Sequence, residues 1–137
     1  MVVLAALGTD ARAMKSCAML AEATGLSEPT VSKILKQLGK VEIVKSVRGI
    51  NGGYRLGRAI EAISIRDVIA AIDGPVAITS CVDVQASECS LSDVCRVHGR
   101  WGGVNDAIRA ALEQVSLADM ITKTHNNAVQ GRAKTGL

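Results

Sequence analysis

Two short apolar patterns that meet at a glycine constrain this chain more than any other feature. Leu20 and Ala21 belong to one helical pattern, which Gly25 breaks. Val31, Ile34, Leu35 and Leu38 then repeat at i, i+3, i+4 and i+7, the signature of an amphipathic helix. A small residue at Ala21 lets two helices cross closely, and Gly25 permits a tight turn between them. Ser27 is placed as the N-cap of the second helix, with Pro29 in its first turn. The arrangement reads as a helix-turn-helix whose second helix covers residues 28–38. Its outer face then carries Thr30, Ser32, Lys33, Lys36 and Gln37. Hydroxyls, amides and cations of this kind reach base edges and phosphates when a helix enters a major groove.

The next segment points the same way. Residues 41–47 and 54–56 read as two short strands joined by the glycine-rich turn Arg48-Gly49-Ile50-Asn51-Gly52-Gly53. A hairpin directly after such a helix is a wing. Arg48 stands where it can enter a minor groove, while Gly52 and Tyr54 bring backbone and ring close to the sugar-phosphate chain. Residues 27–58 hold seven cations against the two anions Glu28 and Glu42, an excess larger than the net +3 of the whole chain. A basic block inside a folded segment is the footprint of a phosphate-rich partner, here double-stranded DNA.

The rest of the composition sets bounds. At 137 residues the chain suits one core, and with no Phe, one Trp and one Tyr that core is aliphatic. The apolar start lacks a cationic leader, and no apolar run approaches a membrane span. The chain is therefore expected to be cytoplasmic, with no membrane partner. In that compartment four cysteines serve as metal ligands or redox thiols rather than structural disulfides. No nucleophile–base–orienter set is visible, so neither an enzyme nor a small-molecule substrate is expected.

Beyond the wing the chain divides by function. Residues 1–75 form the expected winged helix-turn-helix domain, closed by a helix that Ser64 and Asp67 cap and Gly74-Pro75 end. Residues 76–98 form a cysteine-rich loop with Cys81, Cys89, Cys95 and His98 spaced as Cys-x7-Cys-x5-Cys-x2-His. Segments that long suit a loop wrapped around a metal centre, and the soft donors leave three readings open: an iron–sulfur cluster, a zinc site, or redox-active thiols. Asp83, Glu88 and Asp93 serve to solvate that loop, and Cys17 stands apart as a small hydrophobe.

Residues 99–120 hold a dimerisation helix and a short terminal helix. The long helical pattern spans residues 98–115, where Trp101, Val104, Ile108, Ala111 and Val115 form a seam suited to the same helix of a second copy. Ser116 and Asp119 suggest another cap, and residues 121–137, which include His125, read as a disordered tail. The fold class is mainly α, a winged helix-turn-helix with a small β-hairpin and a long dimerisation helix.

Taken together, residues 21–27, residues 29–36, Arg48-Gly49, Gly52-Gly53-Tyr54-Arg55-Leu56, the three loop cysteines, Trp101 and residues 115–120 resemble the IscR-type winged-helix regulators. The likeness is strongest to the branch that controls SUF-system iron–sulfur assembly, and it covers residues 1–120. It implies a homodimeric repressor of assembly genes that binds a palindromic operator and senses cluster status. It also implies a 2Fe–2S cluster on Cys81, Cys89, Cys95 and His98, with DNA contacts at the start of the recognition helix and at Arg48. Related nitric-oxide-responsive regulators share the three cysteines. Three departures stand out. The chain starts inside the family's first helix, Glu42 stands where relatives usually have glycine, and Gly102-Gly103 replace better helix formers.

Overall fold

The computed structural model describes residues 1–83 and 89–122. Its order follows from which faces must leave water. Helix α1 (Val2–Gly8), α2 (Cys17–Thr24) and α3 (Glu28–Lys40) pack so that Val3, Leu4, Leu7, Leu20, Val31, Leu35 and Leu38 are buried together. Each buried leucine is worth roughly 2 kcal/mol relative to an exposed one. That gain fixes the rotation of α3 about its axis. Gly25 ends α2 in the left-handed conformation, with φ 70°. Ser27 does sit at the N-cap of α3, but its hydroxyl pairs with Thr30 Oγ1 at 2.8 Å instead of capping the backbone. The cap expected by side chain appears one helix earlier, where Ser16 Oγ accepts from Met19 N at 3.1 Å.

Strands β1 (Val44–Val47) and β2 (Gly53–Leu56) pair antiparallel in the register Val44↔Leu56, Lys45↔Arg55, Ser46↔Tyr54 and Val47↔Gly53. The first strand starts later than its residue types suggest, because Val41 ends α3 and Glu42 turns the chain at φ 58°. A non-glycine residue pays roughly 1 kcal/mol or more there, since its Cβ crowds the following carbonyl. The hairpin is also tied backwards. Lys15 N donates to Tyr54 O at 3.0 Å, and Tyr54 N donates to Lys15 O at 2.8 Å. A Cβ at Gly53 would stand 2.8 Å from Lys15 O, so only glycine permits this approach.

A 3₁₀ turn at Ile60–Ala62 leads to α4 (Ile65–Asp73), which is capped as its sequence predicts, with Ser64 Oγ accepting from Asp67 N at 3.0 Å. Helix α5 (Gly102–Glu113) is shorter than the 98–115 pattern; residues 98–101 are turns, and glycines at 99, 102 and 103 explain the late start. Its inward face also differs from the apolar seam. Asn105, only 1% exposed, is at its centre, flanked by the half-buried Ile108, Arg109 and Leu112. Asn105 Oδ1 accepts from Ile78 N at 3.1 Å and its Nδ2 donates to Val76 O at 3.0 Å, while Arg109 Nε reaches the same carbonyl at 2.9 Å. Trp101, Val104, Ala111 and Val115 stay exposed.

Helix α6 (Leu117–Thr122) returns to the 3₁₀ turn and α1, burying Leu117 and packing Ile121 on the core. Its cap is reciprocal: Ser116 Oγ accepts from Asp119 N at 3.1 Å, and Asp119 Oδ2 accepts from Ser116 N at 3.0 Å. The helix thus runs two residues into the segment read as a tail, and 123–137, with His125, lie outside the described residues. Among the described residues no helix is long and apolar enough to cross a membrane.

Two substitutions test this account. Glu42→Gly removes the left-handed strain and is expected to stabilise the protein by about 1 kcal/mol, read as a higher denaturant midpoint at unchanged slope. Asn105→Ala removes a buried amide together with its bonds to Ile78 N and Val76 O, and is expected to cost about 2 kcal/mol in the same measurement. A neutral result at either position contradicts the geometry described.

Candidate nucleic-acid interface and cysteine loop

Burying Val31, Leu35 and Leu38 leaves the opposite face of α3 to solvent. Ser27, Pro29, Thr30, Lys33 and Lys36 are all exposed there, and Ser32 is half-buried. Gln37 is the exception, because its Nε2 turns toward α4 and donates to Ile72 O at 3.5 Å. It braces the recognition helix instead of facing outward.

The hairpin brings further residues beside this face. Lys36, Lys40, Lys45, Ser46 and Tyr54 line a groove of about 540 Å³ between α3 and the wing, with Glu42 on its wall. A second groove of about 440 Å³ lies between the start of α2 and the wing turn, lined by Ser16, Cys17, Arg48, Gly52 and Tyr54 among others. Tyr54 borders both, held by its backbone pairing to Lys15. The structure therefore joins Lys36 with Tyr54, and Arg48 with Gly52 and Tyr54. Ser27, Pro29, Thr30, Ser32 and Lys33 line neither groove and occupy the start and outer side of the helix.

Charge on this surface is available to a partner. Arg58 is engaged by Asp67 at 3.3 Å. Among the described residues, Lys33, Lys36, Lys40, Lys45, Arg48 and Arg55 form no ion pair. Lys45 and Arg55 stand directly opposite each other in the hairpin. Like charges so placed are destabilising, and a phosphate chain beside them relieves the repulsion. Lys40 and Lys45 were not singled out as contacts from sequence; their place in the basic block was the available signal.

The cysteine loop is positioned by α5. Asn105 and Arg109 hold residues 76–78, directly ahead of Cys81. Cys81, Cys89 and Cys95 are free and half-buried, and His98 is exposed. Thr79 Oγ1 donates to Cys81 Sγ at 3.6 Å. Successive turns carry the other donors: Ser92 N donates to Cys89 O at 3.0 Å, and His98 N donates to Cys95 O at 3.1 Å. Soft thiolates with an imidazole suit an iron–sulfur cluster or zinc by chemistry. Yet among the described residues no three His, Cys, Asp or Glu side chains stand together so as to hold a metal ion. Cys81, Cys89, Cys95 and His98 share one loop and have the donor chemistry for such a group, but among the described residues no three of them are gathered. Glu88 lies outside the described residues. Cys17 is half-buried against the core, and its thiol donates to Glu28 O at 3.4 Å, which suits the small-hydrophobe reading.

Comparison with known proteins agrees with this architecture. A family model described as Rrf2, iron-dependent transcriptional regulator, matches residues 1–123. An HTH-type transcriptional regulator of Azotobacter vinelandii is 32% identical over 109 residues, which are 80% of this chain and 65% of that protein. The HTH-type transcriptional regulator IscR of Escherichia coli is 30% identical over 116 residues, 85% of this chain and 70% of its own length. This chain thus spans about two thirds of the length of these relatives.

Among solved structures, CymR, the global cysteine regulator of B. subtilis, superposes with a TM-score of 0.67 at 27% identity, covering 90% of this chain and 91% of that one. The IscR of T. potens gives a TM-score of 0.64 at 27% identity over 95% of this chain and 86% of its own. With a winged helix-turn-helix, an exposed basic face and relatives that are regulators rather than enzymes, the chain belongs to the Rrf2 family of DNA-binding transcriptional regulators.

Proposed function

We propose that this regulator is a cytoplasmic homodimer that represses iron–sulfur assembly genes of the SUF type. It responds to cluster status through Cys81, Cys89, Cys95 and His98. The observation that carries the reading is the loop of three free, half-buried thiols whose base is hydrogen-bonded to α5. Apolar side chains at the surface support the dimer. Leu91, Val94, Val97, Trp101 and Val104 are all exposed at steps of three or four residues, so the apolar seam extends back through the loop. A matching face on a second copy covers such a row. Two recognition helices then meet half-sites of a palindromic operator, with Ser27, Pro29, Thr30, Ser32, Lys33 and Lys36 on the helix and Arg48, Gly52 and Tyr54 on the wing as the contacts. A 2Fe–2S cluster on this loop would require Cys81, Cys89, Cys95 and His98, ungathered among the described residues, to come together.

A second reading has its own observation. The thiols do not converge, and a regulator named for cysteine control shares the fold. On that reading the same loop senses thiol chemistry without a cluster, and the domains are unchanged: 1–75 for DNA, 76–98 for the signal, 99–120 for the dimer, and 121–137 as a tail.

Two measurements decide. Anaerobically purified protein is expected to show sulfide-to-iron absorption bands that Cys89→Ala abolishes. A colourless protein containing no iron removes the cluster reading, and stoichiometric zinc replaces it with a structural metal site. Separately, Arg48→Ala is expected to lower the slope of log affinity against log salt by about 1 on a duplex selected by the protein from a random pool. An unchanged slope takes Arg48 out of the interface.

A further inference from the structure

The wing turn exposes a side chain that nothing in the protein uses. Between Val47 and Gly53 the chain reverses tightly, with Gly52 N donating to Gly49 O at 3.0 Å. At the apex Ile50 is 104% exposed, whereas the next most exposed large apolar residue among the described residues, Val94, is 77% exposed. A β-branched side chain is stiff at its first torsion, so it projects from this short turn with few conformers to lose on binding.

The surroundings select the occupant. Lys45, Arg48 and Arg55 lie on the hairpin, and residues 44–59 contain no acid at all. A cationic ribbon with an apolar apex repels a second copy of itself. It matches a groove walled by two phosphate chains and lined by deoxyribose carbons. The hairpin shares its flank with Lys36 of α3, which places the same groove system within reach of the helix and the wing at once. At the floor of a minor groove, A·T pairs present acceptors only, while G·C pairs add the guanine amino group. An apolar side chain pressed onto that amino group would bury an unsatisfied donor.

We infer that Ile50 is a minor-groove contact that makes this protein prefer A·T pairs where the wings meet the DNA. The inference rests on the DNA-binding reading and adds to it a residue that sets specificity through shape rather than hydrogen bonds. The test begins with duplexes of 40 base pairs selected from a random pool by the intact chain. Affinity is then measured by fluorescence anisotropy on the selected duplex and on versions with the wing-contacted A·T pairs changed to G·C or to inosine·C. Inosine·C has the major-groove face of G·C but lacks the minor-groove amino group.

The intact protein is expected to rank A·T level with inosine·C and both about fivefold above G·C. Ile50→Ser is expected to bind all three alike, and Ile50→Val to restore the ranking. Thermal unfolding of Ile50→Ser should match the intact chain, because the side chain touches no core. The inference is overturned if Ile50→Ser keeps the ranking, if inosine·C behaves as G·C, or if Ile50→Ser changes the oligomeric state and leaves the ranking alone. Failure of the intact chain to enrich any duplex overturns the DNA-binding reading itself, a separate outcome from the loss of discrimination.

Discussion

Everything outward on this protein depends on what α3 hides. Val31, Leu35 and Leu38 enter a core shared with α1 and α2, and that burial sets the rotation of the helix. With the rotation fixed, Thr30, Lys33 and Lys36 have nowhere to go but the surface. A turn of the helix by one residue would expose leucine and bury lysine, at a cost of several kcal/mol that no surface contact returns. The hairpin inherits its place from the same core, since Ile43, Val44 and Leu56 are buried in it. The basic groove between helix and wing is therefore a by-product of aliphatic packing. Electrostatics supplies its use, not its shape.

Much of this was legible in the residues because the signals were local. The stripe on α3, the glycine that ends α2, the glycine-rich turn and the caps at Ser64 and Ser116 each depend on neighbours within a few positions. The features that escaped are those that join distant segments. The pairing of Lys15 with Tyr54 is made by backbone, which carries no residue signature. Asn105 carries no signal in the sequence because an apolar periodicity gives a polar residue no weight, yet its amide matches one donor and one acceptor across the fold. Gln37 was read as outward by period alone, and a carbonyl on α4 draws it aside. Glu42 is instructive in the opposite sense. The end of the recognition helix is a junction in the sequence reading, and there the chain holds a left-handed residue that is not glycine.

The cysteine loop shows where sequence spacing and spatial arrangement part. Spacing establishes that four soft donors lie close along the chain, which any reading of the loop requires. It does not establish that they meet. Among the described residues Cys89, Cys95 and His98 sit on successive turns, with Leu91, Val94 and Val97 exposed between them.

The joint between the two halves has a mechanical consequence. Ile65 N donates to Val115 O at 2.9 Å, and Leu117 N donates to Ile63 O at 2.7 Å, so the chain leaves the DNA-binding head and re-enters it at one point. Between these two bonds α4 stays on the head, with Val68 in the core and Ile72 O accepting from Gln37, while α5 packs on α4. Of the elements in contact with α5, α4 also touches the recognition helix, so the route from the loop side of the protein to the DNA-facing helix runs through it.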